Sequence, residues 1–251
     1  MSQFQLTTGD VHCWAVPLAA SREAMARFCA TLSPNERERT LRLRFEHHRR
    51  RFVIAHGVLR ELLGRYCETE PRRLRFVNEP YGKPELHPEF DGRLKFNLSH
   101  SADLAVIALA AGTDIGVDIE QIRDGPRSEY AEIASCFFSA PDREHLQRVP
   151  AHLYARAFYG CWTRKEAYVK ARGDNLATSL DSLAVPPPSW TFFPVHPAPG
   201  YIGALAIEGT NWRVTQRTWP GPPGQVIAAP PPPARSRRAH SVSPAPRRTS
   251  G

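Results

Sequence analysis

No apolar run in the 251-residue chain approaches the roughly 18 residues that a membrane-spanning helix requires, which excludes such a helix. The opening Met-Ser-Gln-Phe-Gln lacks the basic region and apolar stretch of a secretory leader. Five cysteines (Cys13, Cys29, Cys67, Cys136 and Cys161) are scattered, odd in number and form no Cys-x-x-Cys pair. That spacing weighs against a zinc site and against a disulfide framework, so a reduced, cytoplasmic protein is expected. Acidic residues are missing altogether from 230–251, where five arginines account for +5 of the net +8. The body then carries only +3, which is an enzyme's balance and not a nucleic-acid footprint. With Pro230 to Pro233, Pro244 and Pro246 and almost nothing to bury, this tail reads as disordered.

What is present is a chain long enough for a sizeable core. A strand is expected over 10–16 and a short helix over 21–32. Ser33-Pro-Asn-Glu36 then starts an arginine-rich helix, with Ser33 at the cap and Glu36 three residues on. Between Asn35 and Arg60 stand eight arginines against three glutamates, either a solvated face or an anion shelf. Apolar residues from Phe52 to Leu63 recur at helical spacing. Strands follow at 75–78 and 94–98, separated by a turn at Tyr81-Gly-Lys-Pro84 that presents Lys83. Residues 104–110 and 115–120 read as a hairpin around Gly112-Thr-Asp114. Helices are expected near 129–137, 141–147 and 151–171, and closing strands near 191–194, 201–207, 211–219 and 225–229. The mixture implies an α+β fold of two subdomains, 1–112 and 113–229, followed by the tail 230–251.

Two segments carry the chemistry. In Gly116-Val-Asp-Ile-Glu120, apolar Val117 and Ile119 alternate with Asp118 and Glu120, the period of a half-buried strand. Residues two apart share a face, roughly 6.6 Å apart at about 3.3 Å per residue. Asp118 and Glu120 can therefore converge on one ion. Glu166 stands 48 residues after Asp118, in Trp162-Thr-Arg-Lys-Glu-Ala-Tyr-Val-Lys170, and shares a helix face with Lys170 four residues on. Either segment alone could be surface decoration; together, three carboxylates and a lysine suit Mg²⁺ (or Mn²⁺) with a phosphate beside it. Trp162 is expected to pack the helix into the core.

In order, Tyr81-Gly-Lys-Pro84, Phe96-Asn-Leu-Ser-His-Ser101, Gly116-Val-Asp-Ile-Glu120 and Trp162–Lys170 resemble the signatures of Sfp-type 4′-phosphopantetheinyl transferases. The likeness spans roughly residues 10–229, at the length of the family's monomeric, pseudo-dimeric members rather than its half-sized trimeric ones. It implies two similar α/β subdomains forming a pseudo-dimer. It also implies transfer of phosphopantetheine from coenzyme A to a serine of an acyl, peptidyl or aryl carrier domain, with release of 3′,5′-ADP. Metal ligands then fall on Asp118, Glu120 and Glu166. Glu166 is also the base, directly or through a bound water, and Lys170 and Lys165 steady charge on the phosphate. Tyr81, Gly82, Lys83, Pro84 and Ser99 would line the adenine, and His100, Arg39 and Arg51 would meet the 3′-phosphate. Read without the resemblance, His100 is a capping or core histidine.

Three positions depart from the family pattern. Glu36 stands where relatives often carry lysine, Phe52 where a small polar residue assists, and Gly173-Asp-Asn-Leu176 replaces Gly-x-Gly-Leu. Weakened affinity for coenzyme A is the expected consequence. Two rival readings use the same residues. One is a metal-dependent nuclease or phosphodiesterase, whose arginines would hold nucleic acid. The other is a carrier-binding module without catalysis. Neither explains Tyr81–Pro84 or Phe96–Ser101.

Overall fold

The structure, a computed structural model, describes residues 3–78, 83–90, 92–174 and 188–221. The tail, the strand expected at 225–229, Tyr81, Gly82, Asn175 and Leu176 lie outside the described residues. Strand β1 (Asp10–Pro17) is buried over seven consecutive positions, as a strand covered on both faces must be. Ser21 caps α1 (Arg22–Thr31) by accepting the Ala24 N–H. Ser33 and Glu36 form the expected capping box at the start of α2 (Pro34–Arg42), each side chain accepting the other's backbone N–H. The arginine-rich stretch is two helices, not one. Leu43 is extended, its carbonyl is taken by Arg49 Nε at 2.7 Å, and the chain restarts as α3 (Glu46–Tyr66).

After β2 (Phe76–Asn78) and β3 (Pro84–Leu86), which pair only with each other among the described residues, come β4 (Leu94–Ser101) and β5 (Leu104–Ala111). These two form the hairpin, with Ser101 opposite Leu104 and Ala102 at φ 47° in the turn. The hairpin expected around Gly112 does not form. Strand β5 lies between β4 and β1, so both of its edges are taken, and its apolar run Leu104–Ala110 suits an interior strand. Gly112, at φ 78°, turns the chain out of that sheet into β6 (Ile115–Gln121).

Helices α4 (Arg127–Phe137), α5 (Ala140–Arg148) and α6 (Tyr154–Arg172) follow. Then β7 (Trp190–Val195) and β8 (Tyr201–Glu208) complete a sheet ordered β6-β8-β7. The last described strand, β9 (Arg213–Thr218), runs parallel to β1 and completes the first sheet, β4-β5-β1-β9. A division at residue 112 therefore separates the sheets except at β9, whose partner is in the first segment.

The mixed α and β architecture is the expected one, with a long helix on the outside of each sheet. Residues Val53 to Leu63 of α3 pack on Trp14, Val16, Ile107 and Leu109. Ala167 and Ala171 of α6 pack on Ala204 and Ala206. Between the sheets, Val11, Cys13, Leu104, Val106 and Ala108 meet Ile115, Val117, Ile119, Leu205 and Ile207. Trp162 stacks on Phe158 at 6.3 Å in the satellite cluster beneath α4 and α5, as expected.

Candidate active site

Alternation along β6 sorts its side chains by function. Val117 and Ile119 are fully buried between the sheets, which turns Asp118 and Glu120 the other way. Gly116 allows α6 to lie directly on this strand: a Cβ there would overlap the carbonyl oxygen of Ala167 and the backbone nitrogen of Ala171. The close approach brings Lys170 Nζ to Asp118 Oδ1 at 2.6 Å. Asp118 is 4% exposed and Glu166 is 9% exposed.

Three carboxylates thus share a poorly solvated space. Burial pushes the Glu166 carboxyl up to about 7, and the charges of Asp118 and Glu120 push the same way, against Lys170. Asp118 and Glu120 are also raised, each chiefly by burial. Asp118 Oδ2 is buried with no hydrogen-bond partner. Among the described residues, no three His, Cys, Asp or Glu side chains are gathered as a finished metal-ligand set. The donor chemistry nevertheless fits a hard divalent cation: all-oxygen, short of positive charge, and holding an orphaned carboxylate oxygen.

The edges of the two sheets meet at β4 and β6, where polar side chains of β4 serve the β6 backbone. Asn97 Oδ1 accepts the Val117 N–H at 2.9 Å. Ser99 Oγ accepts the Ile119 N–H at 3.3 Å and donates to Asp118 Oδ1 at 2.8 Å. Ser101 Oγ accepts the Gln121 N–H at 3.1 Å and donates to Glu120 Oε2 at 2.6 Å. Ser99, assigned to the adenine by resemblance, is here engaged with Asp118 and, at 3.3 Å, with Lys170.

A belt of positive charge adjoins the acids. His100 is solvent-accessible at the end of β4, yet its imidazole is lowered by desolvation and then by His56, Lys170, Arg51 and His48. Arg51 forks onto Asp103 Oδ1 at 2.7 and 3.1 Å. Arg39 lies over the Phe52 ring and, with Pro84, lines a cavity of about 400 Å³ that Glu36, His56, Arg60 and Phe76 also border. Glu36 has a structural task. It pairs with the buried Arg60 at 2.7 Å, and Arg60 also donates to the carbonyls of Pro71 and Leu74. Burial would raise Glu36, but hydrogen bonds from His56 and Ser33 and the Arg60 charge hold it near 2.

The other two lysines singled out in the sequence, Lys83 and Lys165, have partners of their own. Lys83 Nζ donates to the Ala171 carbonyl at 2.9 Å and approaches Asp114 at 3.4 Å, tying its loop to the end of α6. Lys165 is buried against α5, with its ammonium 2.8 Å from Asp142 and over the Phe138 ring. Sequence reasoning missed Asn97, Ser101, His56 and Arg60. The period-two spacing of Asn97, Ser99 and Ser101 was the available signal for the first two, since it places them on one strand face.

A family model described as the 4′-phosphopantetheinyl transferase superfamily matches residues 114–219. A second, described as 4′-phosphopantetheinyl transferase, N-terminal, matches residues 18–112. The chain is 36% identical over 219 residues to the 4′-phosphopantetheinyl transferase HetI of a Nostoc species, covering 83% of this chain and 92% of that one. It is 31% identical over 165 residues to the 4′-phosphopantetheinyl transferase Sfp of Bacillus subtilis, covering 66% and 70%. With the 4′-phosphopantetheinyl transferase AcpT of Escherichia coli it shares 40% over 103 residues, 40% of this chain and 51% of that one. The chain belongs to the 4′-phosphopantetheinyl transferase superfamily. Its activity is phosphopantetheinylation, with coenzyme A as substrate and carrier proteins as acceptors; neither the nuclease nor the binding-module reading is favoured.

Proposed function

We propose that a carrier-domain serine attacks the coenzyme A pyrophosphate between β6 and α6. The serine oxygen forms a bond to the phosphorus that bears pantetheine. The bond from that phosphorus to the bridging oxygen breaks, and 3′,5′-ADP leaves with the electron pair. Glu166 takes the serine proton on its carboxylate. In the cation-free site burial raises this carboxyl to about 7, and a positioned base of this kind is worth about 10²–10⁴ in rate. Lys170 is the ammonium beside the transferring phosphoryl oxygens. Lys165, paired with Asp142, acts by fixing α6 against α5.

Asp118, Glu120 and Glu166 would hold Mg²⁺ or Mn²⁺. When bound, the cation neutralises pyrophosphate charge and polarises its oxygens. The nucleotide end of coenzyme A is assigned to the neighbouring cavity. Arg39 and Pro84 border it together with Phe76 and His56, and its volume of about 400 Å³ suits a purine. His100 and Arg51 are assigned to the 3′-phosphate, for which Arg51 exchanges its Asp103 partner. Tyr81 and Gly82 belong to the same assignment through resemblance alone. A monomer, a cytoplasmic location, and acyl, peptidyl or aryl carriers complete the reading. No described helix is long and apolar enough to cross a membrane.

The observation that carries the reading is the contact of Lys170 with Asp118, with Glu120 and Glu166 within electrostatic reach and His100 and Arg51 alongside. The test mixes the protein with an apo carrier domain, coenzyme A and Mg²⁺, and weighs the carrier. The expected gain is one phosphopantetheine. An unchanged mass across acyl, peptidyl and aryl carriers would overturn the assignment.

A further inference from the structure

The β4 ladder repeats one unit twice. Ser99 accepts the N–H of Ile119 and donates to the carboxylate of Asp118; Ser101 accepts the N–H of Gln121 and donates to the carboxylate of Glu120. Each hydroxyl has one proton, and each spends it on a single carboxylate oxygen. On Asp118 the other oxygen, Oδ2, is left buried and unpartnered. A free glutamate has three side-chain torsions and would sample many positions. The Ser101 contact at 2.6 Å, made from a 7%-exposed side chain anchored on the backbone of the partner strand, tethers one oxygen of Glu120. The Ser101 hydroxyl hydrogen is fixed as well. With its lone pairs turned to the Gln121 N–H, its proton has the Glu120 carboxylate as acceptor.

We propose that Ser101 is a positioning residue. Its hydroxyl fixes the Glu120 carboxylate by Oε2 and so presets it for a divalent cation, in the way that Ser99 presets Asp118. The proposal rests on the assignment of Glu120 as a cation ligand. Ser101 touches neither the cation nor the substrate in this role. It works by removing the freedom that Glu120 would otherwise lose on binding, an effect for which outer partners of metal ligands are worth about 10–100-fold in affinity.

The test titrates the full chain with Mn²⁺ in the presence of coenzyme A, following free Mn²⁺ by electron paramagnetic resonance. The variants are Ser101→Ala, Ser101→Thr and Glu120→Gln. Thermal midpoints are recorded alongside, and binding is measured well below all of them, so that lost stability alone does not register as lost affinity. The expected result is Mn²⁺ binding at least about tenfold weaker in Ser101→Ala. Near-native binding is expected in Ser101→Thr, which keeps the hydroxyl. In turnover, Ser101→Ala should raise the KM for Mg²⁺ more than it lowers kcat at saturating Mg²⁺. If Ser101→Ala binds Mn²⁺ like the unaltered protein while Glu120→Gln is weakened, the positioning role is wrong and the ligand assignment survives. If Glu120→Gln also binds normally, the ligand assignment itself is wrong, and the role of Ser101 falls with it.

Discussion

Single side chains in this protein are set by what their neighbours leave unsatisfied. Burial, and then the charges of Asp118 and Glu120 against Lys170, raise the Glu166 carboxyl to about 7. Glu166→Gln should keep the fold and lower kcat by about 10²–10⁴, measured as carrier mass gain per minute. The raised value also predicts a pH dependence in the absence of divalent cation. The folded state holds the Glu166 proton more tightly than the unfolded chain, whose glutamate titrates near 4.5. The stability this contributes is present in full below about 4.5 and is lost as pH rises through about 7, on the order of 3 kcal/mol over the window. Chemical denaturation at pH 5 and pH 8 should show a fall that is smaller in Glu166→Gln. Glu36 works in the opposite direction. Removing its charge in Glu36→Gln leaves buried Arg60 without its anion, with an expected cost of about 3–5 kcal/mol. An unchanged melting temperature in that variant would remove the ion pair from the list of stabilising contacts.

Elements were legible where local chemistry and pattern agree. The β6 alternation, the Ser21 and Ser33 caps and the α6 spacing of Glu166 and Lys170 each encode their structure within a few residues. The pairing of strands is not local, and there the sequence misled. Gly112-Thr-Asp114 has turn chemistry, but whether the turn closes a hairpin depends on β1 and β8, which are far away in the chain. The commitments of Lys83 to the Ala171 carbonyl and of Lys165 to Asp142 are equally long-range or face-dependent, so spacing alone did not reveal them. The lie of α6 on β6 depends on one missing methyl group. Gly116→Ala should force helix and strand apart, lower the thermal midpoint, and reduce transfer more than coenzyme A binding, since Glu166 and Lys170 shift while the Arg39 cavity stays. Equal losses in both would indicate general unfolding.

At the scale of the molecule, the sheets meet twice: through an apolar interface between their faces, and through the polar β4–β6 edge where the acids stand. The positive tail 230–251 lies outside the described residues and has no part in the proposed mechanism. Cutting it away should leave turnover of a carrier domain within about twofold at moderate salt, where long-range charge is largely screened. A larger loss would mean that the tail steers carriers.

Strand β9 has one further consequence. It lies beside β1, some two hundred positions earlier in the chain, and covers the flank of the first sheet that β5 leaves open. A polypeptide ended at Gly112 would carry that flank bare, as a row of unmet amides and carbonyls inviting other chains to add on. Such a fragment should precipitate when made alone and dissolve when supplied with the missing half.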